Sequence, residues 1–172
     1  MKIFKNAEEI AAAVRETAQA INAAYGTNPD ESRVLVVCVL KGAAFFFSDL
    51  ARHLTFPFEI DFVRTSSYGS RRQTSGDVKF LKDVETSVEG RRILIVEDIV
   101  ETGYSLDFLR RLFLEREAAD VKIAVLLDKP TKRKVDVPID FRTFEAPDAY
   151  LVGYGLDDAE TGRGLPDLWY VG

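Results

Sequence analysis

The chain has 172 residues, of which 47% are hydrophobic and 30% are charged, and its formal net charge is −5. Its length is sufficient to bury a hydrophobic core, and its composition is ordinary for a globular protein. The acidic balance argues against a general nucleic-acid-binding or membrane-binding surface, although it is compatible with a local basic patch.

Cysteine use and hydropathy bear on location. Cys38 is the single cysteine, so it cannot form an internal disulfide, and it lies in an apolar run where a buried side chain is expected. The sequence has no run of about 18 apolar residues, and its first residues lead into a polar segment instead of a secretory signal. We therefore expect a cytoplasmic protein with no membrane partner.

Hydrophobic periodicity predicts the secondary structure. A first helix is expected from Ala7 to Tyr25, with Asn6 as its cap and Glu9 completing a capping box. Continuous apolar runs predict strands buried on both faces of a parallel sheet at 33–40, 93–96 and 121–127. The remaining predicted elements are helices at about 43–54 and 104–117 and strands at 57–65, 78–81, from 84 onward, and 139–144. We therefore expect one α/β domain.

The central stretch, residues 91–106, reads RRILIVEDIVETGYSL. Glu97 and Asp98 directly follow its apolar strand, at the sheet edge where open α/β sheets bind ligands. Taken alone, such a pair of acids more often belongs to a solvated loop than to a sugar site. Here a short loop with a glycine and two hydroxyls comes next and opens a helix, which is either a helix cap or an anion site. Acids that can hold sugar hydroxyls or a metal, next to a phosphate cradle, predict a sugar-phosphate site.

The segment VEDIVETG resembles the phosphoribosyl diphosphate signature of type I phosphoribosyltransferases, and specifically of their hypoxanthine-guanine branch. The resemblance covers nearly the whole chain. It implies an α/β fold with a twisted parallel sheet flanked by helices, in a single domain spanning 1–172. It also implies a small hood subdomain, formed by the N-terminal segment and about 145–172, and a mobile flap loop at about 66–78. Without the resemblance, the polar residues 66–76 are equally typical of a surface loop.

The resemblance also implies roles for individual residues. Glu97 and Asp98 would orient the ribose hydroxyls, and the loop that holds the 5-phosphate would comprise Glu101, Thr102, Gly103, Tyr104 and Ser105. The pyrophosphate would meet Lys41, Gly42 and Arg163, with Lys41 acting through its backbone more than its side chain. From the residues alone, Lys41 is equally typical of a solvated turn. Mg²⁺ would be held by Asp157 together with Glu97 and Asp98.

On the purine side, Lys129 would donate to the exocyclic oxygen and so select 6-oxopurines over adenine. Tyr150 would stack on the base, although an aromatic in this run is also typical of core, and the Leu151 backbone would meet the pairing edge. Ser67 and Tyr68 belong to the flap. Residues 132–134, a run of basic side chains, are predicted to be solvated.

The expected reaction moves the 5-phosphoribosyl group from phosphoribosyl diphosphate to N9 of hypoxanthine or guanine, giving IMP or GMP and pyrophosphate. Glu101 would be the catalytic base, although the family usually has aspartate there. Two alternatives remain: a preference for xanthine, or a non-catalytic nucleotide-binding regulator on the same fold. A generic dinucleotide-binding fold fits less well, because no GxGxxG follows the first strand. The family suggests a homodimer or homotetramer.

Overall fold

A parallel β-sheet forms the centre of the molecule. The structure is a computed structural model, and it describes residues 2–26, 34–67 and 78–171. In chain order, the elements are β1 Lys2–Lys5, α1 Ala7–Tyr25, β2 Val34–Val39, α2 Ala44–Ala51, β3 Phe58–Ser67, β4 Val78–Lys82, β5 Arg92–Val100, α3 Tyr104–Glu115, β6 Asp120–Asp128, β7 Phe141–Glu145, β8 Tyr150–Val152 and β9 Leu168–Val171. None of the helices in these ranges is long and apolar enough to cross a membrane.

Within the described ranges the central sheet has six strands in the order β4-β3-β2-β5-β6-β7. The strands β3, β2, β5, β6 and β7 are parallel to their neighbours, and β4 adds an antiparallel edge to β3. The prediction of an α/β fold with a parallel sheet flanked by helices is confirmed. The strand β5 lies in the middle, so the loop at its carboxyl end is flanked by strands on both sides.

The apolar runs are continuous because both faces of the sheet are covered. Leu94 and Val96 of β5 pack in the cluster that includes residues of α1 and α2. Ile93 and Ile95, which alternate with them, pack in the cluster that includes α3. A strand whose two faces both meet helices needs apolar residues at every position.

Several boundaries differ from the predicted ones. Strand β5 runs through Val100, because its pairing with β6 continues to Asp128 after its pairing with β2 has ended at Cys38 and Val96. The two acids therefore lie inside β5, on the part that extends beyond β2. Strand β4 ends at Lys82, and the predicted strand from residue 84 is wrong: the Val84 backbone N–H donates to the Asp83 carboxylate, 2.8 Å away, which begins a turn.

A second sheet joins the two ends of the described chain. Its order is β1-β9-β8, with Lys2 opposite Tyr170 and Tyr150 opposite Val171. The predicted capping box of α1 is present, since Asn6 accepts from the Glu9 backbone N–H and Glu9 accepts from that of Asn6. These three strands lie in the segments predicted to form the hood.

Candidate active site

Glu97 and Asp98 place two adjacent carboxyl groups near the carboxyl end of β5. Glu97 is 8% exposed, and Asp98 is half-buried. Burial, and then the neighbouring charge of Asp98, raise the pKa of Glu97 well above its usual value. Burial also raises the pKa of Asp98. Negative charge is thus crowded at this edge, which favours a cation or hydroxyl donors as its partners.

Gly42 lies directly against Asp98. A Cβ atom at residue 42 would lie 1.6 Å from Asp98 Oδ2, which only glycine avoids. The peptide bond between Leu40 and Lys41, just before it, is cis. On the other side, a Cβ atom at Gly155 would lie 2.0 Å from the Gly42 carbonyl oxygen. Loops from distant parts of the chain therefore meet backbone to backbone beside the two acids.

Charged side chains surround this meeting point. Arg163 Nη2 lies 2.8 Å from Asp157 Oδ1 and 3.6 Å from Glu160 Oε1, and Nη1 donates to the Gly155 carbonyl oxygen at 2.8 Å. Lys41 Nζ lies 2.8 Å from Glu160 Oε2. The Lys41 ammonium lowers the pKa of Glu160, and the Arg163 charge opposes part of the rise in the pKa of Asp98. The predicted pyrophosphate and metal residues thus belong to one cluster.

The loop from 101 to 105 enters α3 through Gly103. Gly103 has φ +88°, a left-handed conformation that glycine adopts without cost, and its carbonyl accepts from the Asp107 backbone N–H at 2.9 Å. Among the described residues, no side chain caps α3. The alternative in which the loop hydroxyls serve as a helix cap is therefore wrong, and the free backbone N–H groups of a helix start remain available to an anion.

Lys129 and Glu101 form an ion pair across the sheet edge. Their Nζ and Oε1 atoms are 2.5 Å apart, and Lys129 is only 4% exposed. The Lys129 backbone N–H donates to the Val100 carbonyl oxygen, which ties the end of β6 to the end of β5.

Tyr150 presents its ring to solvent. The residue is 54% exposed, and its hydroxyl donates to the Asp157 carbonyl oxygen at 2.9 Å. Desolvation, with the charges of Asp158, Asp157 and Glu101, raises the pKa of Tyr150. The alternative interpretation of Tyr150 as a hydrophobic core residue is therefore wrong. Leu151 is buried and pairs with Tyr170 in the second sheet.

The predicted flap lies mostly outside the described residues. Ser67 ends β3 and pairs with Val78 of β4. Tyr68 and the rest of the segment 68–77 lie outside the described ranges.

The structure adds residues that the sequence reasoning did not select. Glu160 contacts both Lys41 and Arg163, and the buried Asp128 pairs with Arg133. The interpretation of 132–134 as a solvated run is wrong for Arg133, whose side chain is 19% exposed. The sequence did contain a signal for this pair, because Asp128 directly follows a predicted buried strand and Arg133 comes five positions after it. A buried acid requires a cation nearby.

The chain is similar to known proteins over nearly its whole length. Residues 1–159 match the family model described as phosphoribosyl transferase domain. The hypoxanthine-guanine phosphoribosyltransferase of Bacillus subtilis (strain 168) is 46% identical over 171 residues, which cover 99% of this chain and 91% of that protein. A crystal structure of a hypoxanthine-guanine phosphoribosyltransferase from Bacillus anthracis, with HEPES in its active site, superposes with a TM-score of 0.93 at 37% identity and covers 99% of this chain and 98% of the other. A structure from work on the role of the C-terminal region in the oligomeric state and enzymatic activity of Trypanosoma cruzi hypoxanthine phosphoribosyl transferase has a TM-score of 0.92 at 37% identity, covering 99% and 91%.

Proposed function

The chain belongs to the phosphoribosyl transferase family, in its hypoxanthine-guanine branch, and on this premise we propose that it transfers a 5-phosphoribosyl group from phosphoribosyl diphosphate to N9 of hypoxanthine or guanine. The products are IMP or GMP and pyrophosphate. The observation that carries the proposal is the close approach of Gly42 to Asp98 and of Gly155 to Gly42, with Arg163 bonded to the Gly155 carbonyl oxygen. This arrangement supports a site where ribose hydroxyls and a diphosphate are bound side by side.

The reaction breaks the bond between ribose C1 and the diphosphate oxygen and forms the bond to N9, through an oxocarbenium-like centre. Glu97 and Asp98 orient the ribose hydroxyls, and the backbone N–H groups of the loop from 101 to 105 hold the 5-phosphate. The backbone of Lys41 and Gly42 and the guanidinium of Arg163 stabilise the leaving diphosphate, for which a planar guanidinium is well suited. The flap, with Ser67 and Tyr68, closes over the reacting centre and excludes water.

The donor set of this site suits a magnesium ion. Within the described ranges, no group of three His, Cys, Asp or Glu side chains is placed to hold a metal by itself. Mg²⁺ usually keeps several waters and binds through one or two carboxylates together with substrate phosphates. We therefore propose that Asp157, Glu97 and Asp98 would hold it. When bound, it supplies positive charge that stabilises the leaving diphosphate.

The purine lies at the ends of β5 and β6 in this proposal. The Lys129 ammonium donates to the O6 oxygen of a 6-oxopurine and has no acceptor for the amino group of adenine. Tyr150 stacks on the base, and the Leu151 backbone meets its pairing edge. The Glu101 carboxylate, which contacts the same ammonium, accepts the proton near N7.

The first test is pyrophosphate release from phosphoribosyl diphosphate and Mg²⁺, with hypoxanthine, guanine, xanthine and adenine supplied separately. We expect turnover with 6-oxopurines and none with adenine. Lys129→Gln should reduce turnover with hypoxanthine and lower the ratio of the rate with hypoxanthine to the rate with adenine. Lys132→Gln is the control, because this exposed lysine pairs with Asp148, and it should change neither quantity.

The same assay separates the alternatives. Turnover fastest with xanthine would favour a xanthine-preferring enzyme of the same chemistry. Binding of IMP or GMP without turnover of any base would favour a nucleotide-binding regulator.

Assembly and location belong to the same proposal. We propose a homodimer or homotetramer in the cytoplasm, since the C-terminal region of the Trypanosoma cruzi relative was studied for its role in oligomeric state. The free, buried thiol of Cys38 suits a reducing compartment. Light scattering of the purified protein tests the assembly.

A further inference from the structure

Arg133 contacts the backbone of the loop from 101 to 105. Its Nε donates to the Glu101 carbonyl oxygen at 3.3 Å, its Nη1 lies 3.5 Å from the Val137 carbonyl oxygen, and its Nη2 pairs with the Asp128 carboxylate. Its aliphatic stem covers Gly103, where a Cβ atom would lie 2.9 Å from Arg133 Cδ. One side chain thus joins the loop to the end of β6.

The backbone beside Arg133 holds the next peptide of the loop. The N–H groups of Lys134 and Val135 both donate to the Thr102 carbonyl oxygen, at 2.9 and 3.2 Å. The carbonyls of Glu101 and Thr102 therefore both face the segment 133–135. In a planar trans peptide the following N–H points the opposite way. The N–H groups of Thr102 and Gly103 are consequently turned away from this segment.

Asp128 fixes the guanidinium in place. The residue is 6% exposed, so its charge requires a close cation. Arg133 pairs with Asp128 Oδ1, and Arg142 lies 3.6 Å from its other oxygen. Arg142 also pairs with Glu145 at 3.1 Å, its side chain is 45% exposed, and its partners lie outside the loop from 101 to 105. Arg142 is therefore a matched control, because it pairs with Asp128 as Arg133 does, whereas none of its partners named above belongs to the loop from 101 to 105.

We propose that Arg133, anchored by Asp128, is a positioning residue that orients the backbone N–H groups of the loop from 101 to 105 toward the 5-phosphate of the substrate. This inference rests on the proposed function, because it takes that loop as the 5-phosphate site. Arg133 does not touch the substrate. It acts by holding the Glu101 carbonyl on the opposite side, while the backbone N–H groups of Lys134 and Val135 hold the Thr102 carbonyl there.

The test compares Arg133→Gln with Arg142→Gln in steady-state kinetics and in calorimetric binding of ribose 5-phosphate. For Arg133→Gln, we expect KM for phosphoribosyl diphosphate to rise by about tenfold or more, and ribose 5-phosphate to bind correspondingly more weakly. KM for hypoxanthine should change less. Arg142→Gln should leave both substrate constants near those of the unaltered protein.

A buried, unpaired Asp128 could destabilise Arg133→Gln, so the double variant Asp128→Asn/Arg133→Gln and the variant Arg133→Lys accompany it. The double variant removes the orphaned charge and should still show the raised KM. Arg133→Lys keeps a cation beside Asp128 but lacks the Nε donor, so it should also raise KM. Equal KM values for phosphoribosyl diphosphate in Arg133→Gln and Arg142→Gln would overturn the proposal. If the unaltered protein turns over no base, the proposed function fails, and ribose 5-phosphate binding still decides the role of Arg133.

Discussion

Glu101 Oε1 lies 2.5 Å from Lys129 Nζ, so the carboxylate at the start of the loop from 101 to 105 is paired with the ammonium that follows β6. The resemblance of VEDIVETG to the family signature implies aspartate at position 101, which is one methylene shorter. The longer side chain reaches across to Lys129. Two groups with separate proposed roles, proton acceptor and O6 donor, are thereby coupled in one ion pair.

Replacing Glu101 by Gln should lower kcat far more than it weakens substrate binding. The amide keeps the shape of the side chain but cannot accept a proton, and general base catalysis is typically worth about 10²- to 10⁴-fold. The measurement is kcat and KM for hypoxanthine beside Glu115→Gln, an exposed position on α3. An unchanged kcat would remove Glu101 from the mechanism.

Gly42→Ala should lower activity by about a hundredfold or more. The added methyl would overlap Asp98 Oδ2, because its position lies 1.6 Å from that atom, so either the acid or the loop must move. A displacement of about 1 Å at reacting groups can cost roughly a hundredfold in rate. Gly164→Ala is the matched control, since a Cβ atom there meets nothing within 4 Å. Turnover in Gly42→Ala equal to that of Gly164→Ala would contradict the close approach.

Glu160→Gln should tighten binding of pyrophosphate. The Glu160 carboxylate lies 2.8 Å from Lys41 Nζ and near Arg163, so it places negative charge where the proposal puts the diphosphate. The pair is exposed, and exposed pairs are weak, so we expect a change of at most about fivefold. Because salt screens exposed charges, the gain should shrink at high ionic strength. Product-inhibition constants for pyrophosphate at two salt concentrations measure it, and weaker binding in Glu160→Gln would refute the expectation.

Cys38 should be inert to thiol reagents in the folded protein. Burial, with the charges of Glu97 and Asp98, raises its pKa to about 12. A raised pKa keeps the thiol protonated at neutral pH, and the thiolate is the reactive form. Labelling by a chromogenic disulfide should therefore be slow in buffer and complete in denaturant. Rapid labelling of the native protein would show that Cys38 is accessible.

The sequence was sufficient for the fold and for the place of the two adjacent acids near the carboxyl end of β5. The hydrophobic periodicity of α1 and the apolar runs of β2, β5 and β6 show which side chains are buried. These elements could be predicted because their structure depends on that burial. The position of Glu97 and Asp98 followed from the rule that open α/β sheets bind ligands at the carboxyl ends of their strands.

Contacts between side chains that are distant in the sequence could not be predicted from hydrophobic periodicity or from local motifs. Glu160 is an exposed acid in a turn, and nothing local indicates that it lies 2.8 Å from Lys41, which is 119 positions earlier. Two consecutive residues of that turn, Ala159 and Glu160, have positive φ values of 47° and 66°, which non-glycine residues rarely adopt. The prediction for Arg133 was wrong because it was made for the whole basic run 132–134 from its composition. In the structure Lys132 and Lys134 are exposed, whereas Arg133 is partly buried.

The pairing of β1 with β9 has a consequence for synthesis. Lys2 lies opposite Tyr170 and Ile3 opposite Trp169, so β1 must wait for β9, which is synthesised much later. Closing so long a loop costs chain entropy, which favours earlier assembly of the central sheet from neighbouring strands. Among the described residues, the strand that carries Tyr150 and Leu151 pairs with β9 alone in this small sheet. A nascent chain that ends before residue 168 would therefore contain the acids of β5 but lack the strand that pairs with β8, which carries the residues that we assign to the purine.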